Sequence, residues 1–159
     1  MVLLAILILL SPRTLPVDPT LRIVQAMRFV QFAQAVTAQK NSDELKGMAY
    51  VESTFQYGVR SPYACCYLGV RGGKYGNPSC DMLEASPWTC VMAAQWNIAY
   101  FRLHCGKSYL DAYNGGWKRC CDGPYYRKRK NTQEFSCSTS YSGAVRKYQR
   151  KFKQKEKRK

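Results

Sequence analysis

Residues 42–55 read Ser-Asp-Glu-Leu-Lys-Gly-Met-Ala-Tyr-Val-Glu-Ser-Thr-Phe, and this stretch decides the fold class. Leu45, Met48, Ala49, Glu52 and Phe55 follow i, i+3, i+4, i+7 spacing, which puts them on one face of a helix over roughly 42–55. Asn41, with Glu44 after it, resembles a capping box that opens this helix. Glu52 therefore points where the apolar side chains point. A carboxyl group held against apolar neighbours loses hydration in its charged form, so its proton affinity rises.

Outward from this helix, the pattern remains helical. Asp18 and Pro19 form a start signal for a helix running to about Gln39, with Leu21, Val24, Met27, Phe32 and Val36 along one side. Before it, Val2–Leu10 is an apolar run too short to span a bilayer as a helix; residues 1–18 read as a membrane-directed leader with no basic residue ahead of that run. Downstream, Gln56 to about Pro87 is a loop rich in Gly, Pro and Tyr. Trp88 to Leu103 and Lys107 to Tyr113 read as two further helices, the second ended by Gly115-Gly116. Val145, Tyr148 and Phe152 mark a narrow apolar stripe on a basic terminal helix. There is no alternating strand pattern and no internal repeat, so the class is mainly α.

The chain has 159 residues, 46% of them hydrophobic, enough for one packed domain and incompatible with wholesale disorder. Its formal charge of +15 is uneven: residues 125–159 hold thirteen basic and two acidic side chains. Three units follow, a leader over 1–18, a domain over 19–124 and a basic extension over 125–159. Such a field favours polyanions: anionic wall polymer, a membrane surface or nucleic acid.

Eight cysteines, at 65, 66, 80, 90, 105, 120, 121 and 137, show no C-x-x-C spacing of a zinc or redox site. An even count with two adjacent pairs suits a disulfide framework, although spacing alone leaves the connectivity open. Disulfides imply an oxidising, extracytoplasmic setting: periplasm, secretion or a virion surface. His104 reads as a packing residue, and neither a metal nor a cofactor is expected. The glycines from Gly69 to Gly76 lack the spacing of a phosphate-binding loop.

Two further segments share the order of a known family. Ala49-Tyr50-Val51-Glu52-Ser53-Thr54-Phe55 and Asp111-Ala112-Tyr113-Asn114-Gly115-Gly116 flank Trp96-Asn97-Ile98-Ala99-Tyr100-Phe101. Over residues 42–118 this resembles the SLT-type lytic transglycosylases, lysozyme-like enzymes that cleave peptidoglycan, with a catalytic Glu in an E-S-x-F segment and an A-Y-N-x-G segment lining the cleft. The resemblance implies a lysozyme-like helical domain, to which the cysteines and the charge add long irregular disulfide-linked loops and a basic C-terminal helix or tail. It also implies that Glu52 is general acid and then base in non-hydrolytic cleavage of peptidoglycan strands, leaving a 1,6-anhydro end. Tyr113 and Asn114 would hydrogen-bond the sugar or the Glu52 carboxyl, and Ser53 would orient that carboxyl. Gly69 matches the glycine of the family's G-L-M-Q segment, but no Gln follows it. Trp117 is the favoured sugar-stacking tryptophan, ahead of Trp88 and Trp96. The cysteines and the long loop fit a diverged member, of phage or mobile-element type. Two other readings stand beside it: a hydrolytic muramidase with Asp81, Glu84 or Asp111 as second carboxylate, and a non-catalytic basic disulfide protein that binds wall polymers or nucleic acid.

Overall fold

Ser86 and Pro87 start the helix on which the molecule is organised. The Ser86 hydroxyl accepts from the Thr89 amide (3.3 Å), and proline fits the first turn, where its missing N–H costs nothing. In the computed structural model, which describes residues 19–56, 61 and 64–157, this helix spans Pro87–Cys105. Numbered in chain order, the helices are α1 (Pro19–Thr37), α2 (Ser42–Ser53), α3 (Cys80–Ala85), α4 (Pro87–Cys105), α5 (Tyr109–Gly115), α6 (Gly123–Arg129) and α7 (Ser140–Glu156). Short 3₁₀ turns at Gly106–Ser108 and Gly116–Arg119 flank α5. Among the described residues there is no strand, only an isolated antiparallel bridge between Cys65 and Val70. The mainly helical expectation therefore holds. The leader over 1–18 and the Asp18 cap lie outside the described residues.

α4 runs through the centre, with α1, α3, α5 and α6 packed against it. Cys90, Val91, Ala94, Ile98, Phe101 and Cys105 are buried along its length, which is why a helix with little polar patterning is stable there. Leu45, Met48 and Ala49 of α2 are fully buried, as their spacing predicts. α2 ends earlier than expected because Thr54 (φ 51°) and Phe55 (φ 62°) both turn left-handed. The expected capping box does not form. Asn41 makes no side-chain cap and donates instead to the Glu44 carboxylate (3.3 Å), which also accepts from Arg102 (3.3 Å) and Tyr109. A carboxylate this buried is held by tertiary partners rather than by its own helix end.

All eight cysteines pair: Cys65–Cys80, Cys66–Cys90, Cys105–Cys120 and Cys121–Cys137. The first two fasten the loop after α2 to α3 and α4; the other two fasten the chain between α5 and α7. Closing a loop of roughly 15 residues stabilises by about 3 kcal/mol in the chain-entropy view, so these bridges supplement a small core.

The expected boundary between a domain ending at 124 and a basic extension is not a boundary in packing. α7 lies along α2, with Tyr141, Ser142 and Val145 buried and the Tyr148 ring 4.0 Å from the Tyr50 ring. Asp111 of α5 accepts the Ser142 amide (3.0 Å), a carboxylate set at the positive end of α7. The basic side chains of α7 are turned outward, while its apolar stripe closes the core. The α2–α7 approach requires Gly47: a Cβ there would stand 2.7 Å from the Val145 carbonyl oxygen. Gly47→Ala is expected to lower stability by about 1–2 kcal/mol, the helix-propensity gain of about 1 kcal/mol being outweighed by forced separation. Denaturant unfolding checks this; equal or higher stability would show that α7 can shift freely.

Candidate active site

Glu52 sits on the last turn of α2, where the helix stops abruptly. Phe55, the second residue of the left-handed pair, packs its ring on Phe29, Tyr50 and Phe152 at 5.8–6.1 Å between centroids. These contacts hold a backbone that β-branched Thr54 would not choose alone. The Ser53 hydroxyl is shared between the carbonyls of Ala49 (2.9 Å) and Tyr67 (3.0 Å). The Tyr113 hydroxyl of α5 donates to the next carbonyl, that of Leu68 (2.8 Å). Together they clamp the turn at 67–69 between α2 and α5.

The clamp delivers Gly69 to the Glu52 carboxyl group. Gly69 has φ +62°, and a Cβ on it would lie 2.4 Å from Glu52 Oε2. Only glycine permits both the backbone conformation and the approach. Gly69→Ala should therefore displace the carboxyl and slow a reaction that uses it as acid or base by about 10²-fold, since ångström-scale misplacement of a reacting group has that effect. The Glu52 pKa by carboxyl NMR titration, with melting temperature as the fold control, checks the displacement; an unchanged titration in a folded variant would refute the positional role.

Burial raises the Glu52 pKa above its ordinary value of 4.5. The Tyr141 hydroxyl, the Asn114 side chain and the Arg71 charge act the other way, favouring the carboxylate, and burial prevails. Burial and the neighbouring Glu52 charge push the Tyr113 and Tyr141 phenols well above their usual range, so both remain protonated donors. Tyr141 is 5% exposed, and its hydroxyl has no hydrogen bond of ordinary geometry. A buried hydroxyl left in this state beside a carboxyl is a donor available to a ligand or to the charged form of Glu52.

The expected site residues thus divide. Glu52, Gly69 and Asn114 come together. Asn114 is exposed; its Oδ1 accepts from Arg119 (3.2 Å) and its carbonyl from Arg71 (3.1 Å), which sets the direction of its side chain. Tyr113 is buried within reach of the Glu52 charge, but its hydroxyl is used by Leu68 rather than by a sugar or by Glu52. Ser53 likewise serves the backbone and does not orient the Glu52 carboxyl. Trp117 is half-buried and stacks on Tyr125 (4.1 Å), with Tyr100, Phe101 and His104 against its edges, so its ring is engaged in packing. Trp88 (49%) and Trp96 (59%) are the more exposed tryptophans, and Trp96 is pinned by its Nε1 on the Tyr75 carbonyl (3.1 Å) at a groove of about 300 Å³ formed with Asn77, Pro78 and Met92.

Of the possible second carboxylates, Asp111 is committed to α7 and Asp81 is exposed on α3, with Glu84 half-buried on the same short helix. The groups that act on the Glu52 charge include none of them. The sequence reading missed Arg71 and Tyr141. Tyr141 was legible as the i−4 extension of the Val145–Tyr148–Phe152 stripe; Arg71 follows Gly69 by two positions and carried no motif. Among the described residues no group of three or more His, Cys, Asp or Glu is placed to hold a metal ion. None of their helices is long and apolar enough to cross a membrane.

Comparison with protein-family models, with curated proteins and with solved structures finds no significant match to this chain.

Proposed function

We propose that this chain is a lytic transglycosylase of lysozyme-like fold that cleaves the glycan strands of peptidoglycan. The observation that carries the reading is the Glu52 carboxyl: burial raises its proton affinity, Gly69 abuts it, and among the described residues no second carboxylate acts on its charge. A lone carboxyl suits a reaction whose nucleophile is part of the substrate. Glu52 donates its proton to the glycosidic oxygen as the bond from that oxygen to the muramyl anomeric carbon breaks. The 6-hydroxyl oxygen of the same muramyl residue bonds to that carbon, and its proton passes to the Glu52 carboxylate. No water is consumed and Glu52 ends protonated, ready for another turnover. Tyr141 and Asn114 stabilise the intervening carboxylate, and Tyr113 and Ser53 hold the turn that carries Gly69.

Four disulfides fit an oxidising compartment and so support a reading in which this activity acts at the wall, outside the cytoplasm. The outward cations of α6 and α7 suit attachment to anionic wall polymer or a membrane surface, and suit nucleic acid less well in that setting.

Digestion of purified cell walls tests the reading. The expected result is loss of turbidity and release of disaccharide–peptide lighter by one water than the hydrolytic product. The hydrolytic mass would transfer the assignment to a muramidase. A folded protein that leaves walls intact would favour the non-catalytic polyanion binder.

A further inference from the structure

Two arginines converge on Asn114 beside Glu52, and among the described residues neither is in a salt bridge. Arg71 Nη2 donates to the Asn114 carbonyl (3.1 Å), while Arg119 Nη1 donates to the Asn114 side-chain oxygen (3.2 Å). The Arg71 backbone is fixed as well, its carbonyl accepting from Asn77 Nδ2 (3.0 Å) and from the Lys74 amide (3.4 Å). Its guanidinium also reaches the α5 end, where Nη1 would lie 3.6 Å from a Cβ at position 116. Among the described residues no carboxylate lies within ion-pair distance of Arg71 or Arg119. One carbonyl uses one of the five guanidinium donors of Arg71, and the remaining donors present the planar fork that suits a carboxylate.

The placement works against a general acid taken alone, because a positive charge beside Glu52 favours its ionised form. A pocket meant only to keep Glu52 protonated would do better with a neutral side chain at 71. An anion seated on Arg71 removes the conflict, and the buried Tyr141 hydroxyl, which acts on the same carboxyl group, is a further donor beside it.

We infer that Arg71 is a specificity-determining residue whose guanidinium binds a carboxylate carried by the sugar lying across Glu52, with Arg119 fixing Asn114 beside it. The inference rests on the glycan-cleaving reading and adds the substrate class: an acidic glycan. Binding that carboxylate offsets the Arg71 charge, so the correct substrate strengthens Glu52 as an acid. In a peptidoglycan strand the carboxylate has two sources, the lactyl group of a muramyl residue stripped of its peptide or a carboxyl of the stem peptide itself.

The test compares kcat/KM on peptide-free strands, on peptide-bearing strands, and on peptide-free strands whose carboxyls are converted to methyl amides. The proteins are the parent, Arg71→Gln and Arg71→Lys, each checked for an unchanged melting transition. The parent should prefer free carboxylates over amidated strands by about 10–100-fold, the worth of one charged hydrogen bond. Arg71→Gln should lose most of that preference, Arg71→Lys should keep part of it, and added salt should erode it in the parent. Better turnover of peptide-free or of peptide-bearing strands identifies the source of the carboxylate. Equal turnover of charged and amidated strands by the parent, or an equal loss on both in Arg71→Gln, overturns the inference while leaving glycan cleavage standing. If the parent cleaves no strand, the catalytic reading fails. Calorimetric binding of peptide-free strands to Glu52→Gln, with and without Arg71→Gln, then decides the inference separately: binding lost with Arg71 upholds it, and absent or unchanged binding overturns it.

Discussion

Removing Ser140–Lys159 is expected to abolish cooperative unfolding and, with it, turnover on soluble as well as wall-bound glycan. The deletion strips Tyr141 and Val145 from the core and uncovers the α2 face beneath them. Fully burying one such side chain is worth about 1.5–3 kcal/mol, and two of them with the lost α2 contacts approach the whole stability of a small domain, about 5–15 kcal/mol. The deletion also removes the amide that Asp111 accepts, leaving a carboxylate buried without that partner. Cys137 remains, so the Cys121–Cys137 bridge survives and the loss cannot be assigned to a broken disulfide. Far-UV circular dichroism through a thermal melt and turnover on soluble fragments read the two consequences. A truncated protein that melts cooperatively and turns over soluble fragments normally would show α7 to be an appendage.

The packing of α7 differs from the separate basic extension over 125–159 read from sequence, for a physical reason. Thirteen cations over 125–159 dominate the composition and suggest a solvated tail, yet a helix can bury one narrow stripe while its other faces remain fully charged. Tyr141, Val145, Tyr148 and Phe152 were visible at helical spacing; what they pack against was not. The α2 face was legible because Leu45, Met48, Ala49 and Glu52 obey a single period, and Gly69 was legible as a glycine with a reason to be one. The work of the hydroxyls was not. Ser53 and Tyr113 donate to the carbonyls of Tyr67 and Leu68, and which carbonyl a loop presents is fixed only when the chain closes. The pairing of cysteines was illegible for the same reason, since spacing limits which bridges can form without choosing among them.

Glu52→Gln carries the second large effect. The amide keeps the size and the hydrogen-bonding capacity of the carboxyl, but it has no proton to donate and cannot take one back. A positioned acid or base contributes about 10²–10⁴-fold in rate, and one group serving both steps should bring the loss to at least the upper end. Stability should move in the opposite direction. Because burial raises the folded-state pKa of Glu52 above its ordinary 4.5, the folded protein holds that proton more tightly than the unfolded chain. The stabilisation from the protonated form is complete below the unfolded pKa and is lost as pH rises through the folded one. Glu52→Gln should therefore be more stable than the parent at neutral pH, with the difference fading in acid. Turnover of purified peptidoglycan by correctly folded Glu52→Gln is the most direct measurement. The account predicts release of anhydro products reduced by about 10⁴-fold, with glycan binding retained; lytic activity close to that of the parent would contradict it.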